Sequence, residues 1–183
     1  ITLNNFERLI NNNKQNRNYM EIKVSSSQFN YTYGNRIHLP YSIALLVSYI
    51  KTKEKFSQFK FEKTFVFRNE EKMDEYVEKC RDSDILLCSC YVWNWEITTL
   101  LAKKVKEINP KCLIIFGGPQ VPEILEDFFE KYPFVDIAVH GEGEIIFENI
   151  LSEYLKEKNY LKIKGISTKD FTTEPQGRIE DFD

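Results

Sequence analysis

The sequence of 183 residues lacks the features that mark several large classes of protein. No apolar run approaches the ~20 residues that a membrane-spanning helix needs. Its 25 basic residues form no concentrated stripe and are outnumbered by 28 acidic ones, which argues against a nucleic-acid-binding surface. No stretch has the pattern of a signal peptide. We therefore predict a cytoplasmic protein that binds neither nucleic acid nor membrane.

The sequence also lacks the residue spacings of common cofactor and metal sites. It contains no G-x-G-x-x-G for a dinucleotide and no G-x-x-x-x-G-K-[ST] for a triphosphate. The four cysteines, Cys80, Cys88, Cys90 and Cys112, include no C-x-x-C pair, so a zinc site is not expected. Cys88 and Cys90 lie two apart in an apparent strand and share a face. We interpret all four as buried thiols and predict no bound metal.

The sequence does contain a regular alternation of strand-like and helix-like segments. Its 42% hydrophobic and 14% aromatic residues are typical of a globular domain. Strand patterns lie at 20–24, 61–67, 84–90, 112–116 and 136–140. Helical apolar spacing follows each of them, within residues 40–51, 73–80, 101–108, 121–129 and 147–155.

Five β-α units in a row predict an α/β fold, namely a flavodoxin-like (Rossmann-like) five-stranded parallel sheet with helices on both faces. The order 2-1-3-4-5 places the two most apolar strands, the third and fourth, inside the sheet. Ligands of such sheets bind beyond the carboxyl ends of the strands. The loops at that edge are 25–39, 89–95, 117–121 and 140–144.

Two of these loops each have two interpretations. Trp93 and Trp95 either shelter a large flat ligand or pack under the neighbouring helices, and Asn94 suits a helix N-cap. Gly117 and Gly118 either let a ring system approach the backbone or form a tight turn.

The stretch "VHGEGEIIF", at 139–147, is a glycine turn that carries acidic residues. Glu142 and Glu144 do not suit a phosphate. Glu144 fits the first turn of the next helix, where the helix dipole favours an anion. The alternative is a ligand rich in amide and hydroxyl groups and poor in negative charge, because such groups donate hydrogen bonds to carboxylates.

Taken together, "DILLCSCYVWNWEITTLLAKKVKEINPKCLIIFGGPQVPEI" and "VDIAVHGEGEIIFENIL" resemble the cobalamin-binding domain of cobalamin-dependent radical S-adenosylmethionine enzymes. "YGNRIHLPYSIALLVSYIK" resembles the first loop and helix of that domain. We therefore divide the chain into a polar N-terminal segment (1–19), a cobalamin-binding α/β domain (20–158) and a linker (159–183) towards a catalytic barrel outside this sequence. On this view the chain is a piece of a longer polypeptide.

The resemblance implies that cobalamin binds with its tail base displaced from cobalt and inserted between sheet and helices. The tail is expected to pass Ser89, Gly117, Gly118 and the turn after the fifth strand, with Glu142 accepting hydrogen bonds. A side chain at Gly118 is expected to block this channel, so Gly118→Val should weaken binding and spare the fold. The residues expected to contact the cofactor are Ser25, Asn30, Tyr31, Ser89, Cys90, Tyr91, Val92, Trp93, Gly117, Gly118, Pro119, Gln120, His140, Gly141, Glu142 and Gly143.

The sequence departs from many cobalamin-binding domains in lacking D-x-H-x-x-G, whose histidine ligates cobalt. His38 is the only histidine in the first loop, and it lies just before Pro40 at a helix start. We interpret it as a polar residue there and expect no histidine ligand. Radical S-adenosylmethionine relatives commonly lack this ligand, and Tyr91, Val92 or Trp93, or water, is expected at the lower face of the cobalt.

The resemblance also implies that the full-length protein is an enzyme with a 4Fe-4S cluster and S-adenosylmethionine, which performs methyl transfer or related radical chemistry. This chain has no C-x-x-x-C-x-x-C and is not expected to be catalytic alone. Its expected part is to hold the corrin over the barrel. The alternatives are a docking domain that has lost the cofactor and an unrelated flavodoxin-like binder. The intact Gly117-Gly118 pair favours cofactor binding.

Overall fold

A mostly parallel β-sheet organises the chain. The computed structural model describes residues 21–31, 38–123 and 126–177; the predicted segment 1–19 lies outside them, as do 32–37 of the first loop and the last six residues of the predicted linker. The strands are β1 Ile22–Asn30, β2 Phe59–Phe61, β3 Phe65–Phe67, β4 Ile85–Ser89, β5 Leu113–Gly117, β6 Ile137–Val139 and β7 Ile166–Ser167. Their order is β2-β1-β4-β5-β6-β7, and β3 also pairs with β1.

Helices cover both faces of this sheet. They are α1 Tyr41–Lys51, α2 Met73–Lys79, α3 Trp95–Ile108, α4 Phe128–Lys131 and α5 Gly143–Tyr154. On one face α1 and α5 pack on an aliphatic core, and on the other α2, α3 and α4 pack on a core rich in aromatic rings and cysteines. No helix within the described part of the chain is long and apolar enough to span a membrane.

The predicted fold class and strand order are confirmed, but the strand count is different. The predicted second strand is two short strands, β2 and β3, which pair in parallel with different parts of β1. An additional strand, β7, pairs antiparallel with β6 at the other edge. The described residues therefore form seven strands where five were expected.

The first strand is much longer than its apolar residues indicated. Residues 25–30, predicted as loop, continue β1 as a buried central strand. Several of its polar side chains have partners distant in sequence, whereas the buried Ser27 Oγ has none among the described residues. Ser25 Oγ lies 2.7 Å from Ser83 Oγ, and Ser26 Oγ lies 2.9 Å from Thr64 Oγ1. Because buried hydroxyls with partners cost little, serines are tolerated in the middle of the sheet.

The fourth predicted helix is wrong over most of its length. Only Phe128–Lys131 is helical, and Ile124 and Leu125 lie outside the described residues. Val121 is buried from a turn, in which its N–H donates to Gly118 O at 3.1 Å. The apolar spacing therefore reflects burial without a continuous helix.

The segment predicted as a linker from residue 159 packs onto the sheet over much of its described length. It contains a 3₁₀ turn at Tyr160–Lys162 and then β7, whose Ile166 and Ser167 are fully buried. Residues 165–174, which we call the hairpin, close on themselves: Gly165 N donates to Glu174 O at 2.7 Å, and Thr173 N donates to Ile166 O at 2.9 Å.

Candidate functional site

A cavity of about 310 Å³ opens between α1, α5 and the carboxyl ends of β4 and β5. It lies at the edge where parallel sheets bind ligands, and its size is at the lower end of the ~300–1,000 Å³ of small-molecule pockets. Eight of the predicted contact residues line it, namely Ser89, Tyr91, Gly117, Gly118, Pro119, Gly141, Glu142 and Gly143.

The floor of the cavity is formed by alternate residues of the central strands. Leu87 and Ile115 face α1 and α5, whereas their neighbours Leu86 and Phe116 face the opposite core. Gly117 continues the alternation on the cavity side and contributes no side chain. A Cβ at this position would meet only Val139 Cβ, at an ordinary 3.7 Å. The fold therefore does not require glycine at 117.

Positive φ accounts for two of the other glycines of the site, and a close side-chain contact bears on the third. Gly118 has φ +106°, and a Cβ there would lie 2.6 Å from Cys90 O. The expectation that the fold tolerates Gly118→Val is therefore wrong. Gly141 has φ +84° in an open turn, and a Cβ on Gly143 would come within 3.1 Å of Leu46 Cδ2, where α5 approaches α1. Of these four glycines, Gly117 is the one for which neither a positive φ nor a close contact gives a reason.

Few polar side chains face the cavity. Ser89 points to it from the end of β4, and no described residue hydrogen-bonds its hydroxyl. Ser42 Oγ and Tyr91 Oη lie 2.7 Å apart across the opening. Glu142 lines it at the N-cap position of α5, and Glu144 lies in the first turn of that helix. A mainly apolar slot with hydroxyls and carboxylates around it suits a flat apolar group attached to hydrogen-bond donors.

The two tryptophans have different environments. Trp95 is partly buried in the aromatic core and donates from Nε1 to Tyr132 Oη at 3.1 Å, so the packing interpretation applies to it. Trp93 is 42% exposed and stacks on Tyr91, with ring centroids 4.5 Å apart and planes 15° from parallel. Arg68 Nη1 donates to Trp93 O at 2.7 Å. The Tyr91–Trp93 stack therefore forms a fixed apolar surface beside the cavity opening.

Asn94 occupies the N-cap position of α3, but its side chain does not cap the helix. It accepts from Tyr91 N at 2.8 Å and donates to Ser89 O and Phe29 O, at 3.0 and 3.1 Å. The buried amide thus joins the ends of β1 and β4 and fixes the start of the loop that carries the aromatic stack.

Eight predicted contact residues do not line the cavity. Five of them, Cys90, Val92, Trp93, Gln120 and His140, belong to the loops around it. Ser25 lies on the opposite face of the sheet, bonded to Ser83. Asn30, the last residue of β1, donates to His38 O at 3.2 Å, and Oη of Tyr31, just after the strand, accepts from Arg68. Asn30 and Tyr31 lie on another groove.

That groove is larger, about 1330 Å³, and runs along β3 and α2. Its lining includes many charged side chains of both signs, among them Glu62, Lys63, Glu75 and Lys79. Long charged side chains at an open surface are typical of a solvated face. Ligand pockets are instead mostly apolar with a few placed polar groups, so we locate the candidate site in the smaller cavity.

Residues from the helices were missed by the sequence-based prediction. Ser42, Leu46 and Phe147 line the cavity from α1 and α5. Leu46 and Phe147 belong to the apolar stripes of their helices, so sequence periodicity assigns them only to the core. The one available signal was Ser42, a hydroxyl at the start of an otherwise apolar helix.

The cysteines and histidines form no metal site in the described ranges, where no group of three or more His, Cys, Asp or Glu is placed to hold a metal ion. All four cysteines are free and buried. Burial raises the pKa of Cys80 to about 11 and of Cys112 to about 12, and raises the pKa of Cys88 and Cys90 further. At neutral pH they are protonated, poorly nucleophilic thiols.

Comparison with known proteins connects this geometry to a cofactor. Residues 47–151 match the B12 binding domain. The chain is 43% identical over 98 residues to 2-(S-pantetheinyl)-carbapenam-3-carboxylate methyltransferase of Streptantibioticus cattleyicolor, and 40% identical over 98 residues to the cobalamin-dependent radical SAM methyltransferase TokK of Streptomyces tokunonensis. Each alignment covers 53% of this chain and 14% of the relative.

A third relative is an uncharacterized methyltransferase of Pyrococcus horikoshii, 33% identical over 70 residues, which are 38% of this chain and 15% of that protein. The resemblance inferred from the sequence is confirmed by these matches. The chain spans only a small part of the relatives' length.

Proposed function

Because the chain belongs to the B12-binding domain family, we propose that its cavity receives the nucleotide tail of cobalamin while the corrin ring rests at the carboxyl edge of the sheet. The observation that carries this proposal is Gly117. Neither a positive φ nor a close contact accounts for this glycine, and its missing side chain faces the cavity. A ligand that occupies the space explains the glycine.

The cavity has the size and chemistry for such a tail. About 310 Å³ accommodates a flat base and not a whole corrin. Leu46, Leu87, Ile115 and Phe147 present apolar surface to the base. The Ser89 hydroxyl has no partner among the described residues and is available to a ring nitrogen or a ribose.

The acidic turn fits the rim of the ligand. Glu142 and Glu144 stand at the cavity wall, where the amide side chains of a corrin would approach. Carboxylates accept hydrogen bonds from amide N–H groups and from ribose hydroxyls. The turn therefore favours a donor-rich, weakly anionic ligand.

Neither histidine is arranged as a ligand to cobalt. His38 is exposed before α1, and the His140 ring lies 2.9 Å from Ser167 Oγ. We propose base-off binding without a histidine ligand, with the Tyr91–Trp93 stack excluding water from the lower face of the ring. When bound, cobalamin supplies a cobalt centre that can carry a methyl group. The chain's own residues bind and orient the ring and limit access to it.

We further propose that the chain is the cobalamin-carrying part of a larger radical S-adenosylmethionine methyltransferase. The name of TokK, a cobalamin-dependent radical SAM methyltransferase, supports this, and the name of the carbapenam-carboxylate relative supports methyl transfer. The 4Fe-4S cluster and S-adenosylmethionine would be held by the rest of that protein. The alternative role, a docking domain without cofactor, predicts no corrinoid binding at all.

Gly117→Val tests the proposal directly. The valine methyls would occupy the cavity floor while the Cβ makes an ordinary contact, so the protein should remain folded. We expect hydroxocobalamin affinity, measured by absorbance titration, to fall roughly 10- to 100-fold, the equivalent of 1–3 kcal/mol of overpacking.

Gly177→Val is the matched control, because a Cβ at 177 meets nothing within 4 Å and lies away from the cavity. It should bind as the wild type does. Unchanged affinity in Gly117→Val would show that the tail does not enter this cavity. Failure of the wild type to bind at high micromolar concentration would favour the docking domain.

A further inference from the structure

The wall of the cavity after β6 is held from outside by a segment that does not line it. The turn at 141–143 forms part of the cavity surface, whereas none of the residues 160–177 does. Yet the hairpin (165–174) lies directly against the residue that precedes this turn. His140 N donates to Gly165 O at 2.8 Å.

The His140 side chain makes a second connection to the hairpin. Its Nε2 lies 2.9 Å from Ser167 Oγ, and Ser167 Oγ lies 2.9 Å from Thr172 Oγ1. Ser167 is fully buried and His140 is half-buried. Burial lowers the pKa of His140, with Glu123 acting in the opposite direction. The neutral ring can exchange a hydrogen bond with Ser167 in either tautomer.

The backbone of the hairpin is fitted closely to the same region. Gly165 has φ +77°, and a Cβ there would come 2.6 Å from Ile146 Cδ1 and 3.1 Å from His140 O. Ile146 lies in the first part of α5, directly after the turn that lines the cavity. The hairpin therefore contacts the chain on both sides of residues 141–143.

We propose that His140 is a positioning residue, which ties the turn at 141–143 to the hairpin so that cofactor affinity depends on residues outside the cavity. This rests on the proposed function, because it concerns the same cobalamin site. It extends the functional domain past residue 158. By linkage, cofactor binding should in return order the hairpin.

Three variants of the full chain test the tie. Ser167→Ala removes the partner of the ring, His140→Leu removes the ring's polar atoms, and His140→Gln keeps a donor and an acceptor at similar reach. We expect the first two to weaken hydroxocobalamin binding roughly 3- to 10-fold, the value of one net hydrogen bond. His140→Gln should bind within about 2-fold of the wild type.

The matched control is Ser83→Ala. It also removes one buried hydroxyl–hydroxyl bond, to Ser25 at 2.7 Å, but on the opposite face of the sheet. It should lower the melting temperature, though less than Ser167→Ala, whose hydroxyl has two partners, and leave affinity unchanged. If Ser167→Ala and His140→Leu also keep wild-type affinity, the tie is merely structural and the proposal fails.

Hydrogen exchange supplies a readout that needs no cofactor. Amides of residues 141–144 should exchange faster in Ser167→Ala and His140→Leu than in the wild type and Ser83→Ala. Unchanged exchange there would overturn the inference whatever the titrations give. A wild type that binds no hydroxocobalamin would instead contradict the proposed function, and with it the dependence of affinity on the tie.

Discussion

Phe116 and Gly117 are neighbours in β5 that point to opposite faces of the sheet, and the two faces are built differently. Phe116 is fully buried and meets Trp95 edge-on at 5.7 Å and Phe134 at 6.5 Å, within a network that also includes Phe128 and Tyr132. On the other face aliphatic side chains form most of the core, and the position of Gly117 opens onto the cavity.

The difference shows how this fold makes room for a ligand. Both faces use helices packed on the same strands, so the architecture does not decide where the cavity lies. The position of the cavity follows from side-chain volume at the carboxyl ends of the strands. The Phe116 ring fills one face, and the absence of a side chain at Gly117 leaves the other face open. On the proposed function, binding depends on the missing side chain at Gly117 as much as on the groups around it.

The largest loss of stability should come from removing the Phe116 ring from the aromatic core. Phe116→Ala removes a fully buried ring whose neighbours are themselves packed, and we expect a loss of about 3–5 kcal/mol in the free energy of unfolding. Urea titration measures it. The folded fraction should keep wild-type cobalamin affinity, because the cavity is on the other face. A large loss of affinity in folded Phe116→Ala would show that the two faces are not independent.

The second prediction compares two glycines with positive φ, Gly118 and Gly141. Gly118→Ala forces a side chain into φ +106° and against Cys90 O, so it should lose about 1–3 kcal/mol or more of stability. Gly141→Ala is the matched control: it has φ +84° but open space, so only backbone strain remains, about 1 kcal/mol. Equal melting temperatures for the two variants would contradict the close approach to Cys90.

Part of this fold was readable from the sequence because the signal was local. The stripe on α3 and the apolar runs of β4 and β5 predicted elements that exist, and their order followed from burial of the central strands. The signal failed where burial depends on distant partners. Ser25 and Ser26 looked like loop residues because Ser83 and Thr64, which satisfy their hydroxyls, are far away in the chain.

The candidate site was likewise predictable from the sequence only in part. Topology predicted that the loops after β4, β5 and β6 meet at one edge, and residues of all three line the cavity. Asn30 and Tyr31 were grouped with them because β1 was taken to end early. The sequence alone does not distinguish Gly117 from Gly118. Only the direction of each Cα–Cβ bond distinguishes the one that faces the cavity from the one that faces Cys90 O.

A smaller loss of stability is expected as the pH falls, and it concerns an ion cluster on the cavity face of the sheet. Glu148 of α5 accepts from Tyr49 Oη of α1 at 2.9 Å, and Lys53 and Lys55 lie 3.2 and 2.7 Å from it. Burial acts to raise the pKa of Glu148, but hydrogen bonds from Lys55, Tyr49 and Lys53 outweigh it and leave the pKa below its ordinary value of 4.5. This cluster joins the two helices that flank the cavity.

Because the folded pKa of Glu148 is lowered, its contribution is complete above the unfolded value and is lost as pH falls through the folded one. We expect Glu148→Gln to cost about 0.5–1 kcal/mol at pH 6 and progressively less below pH 4.5, as followed by urea midpoints. Lys104→Met, which breaks an exposed pair with Asp74 on the aromatic face, is the control. A Glu148→Gln deficit that persists unchanged at pH 3 would rule out the ion cluster as its source.

The smallest expected effect is none, and it concerns the histidine that precedes α1. His38 is exposed, and Asn30 donates to its backbone carbonyl at 3.2 Å, a bond that alanine preserves. The ring is therefore not needed to position α1.

If cobalt has no histidine ligand, His38→Ala should leave both the affinity and the visible spectrum of bound hydroxocobalamin unchanged. His140→Gln serves as the control for the other histidine and should also give the wild-type spectrum. The spectrum reports the axial ligands of cobalt directly, so it answers a question that affinity alone leaves open. A shifted spectrum in His38→Ala would mean that its imidazole reaches the cobalt, and that the lower face is closed by a ligand and not by the Tyr91–Trp93 stack.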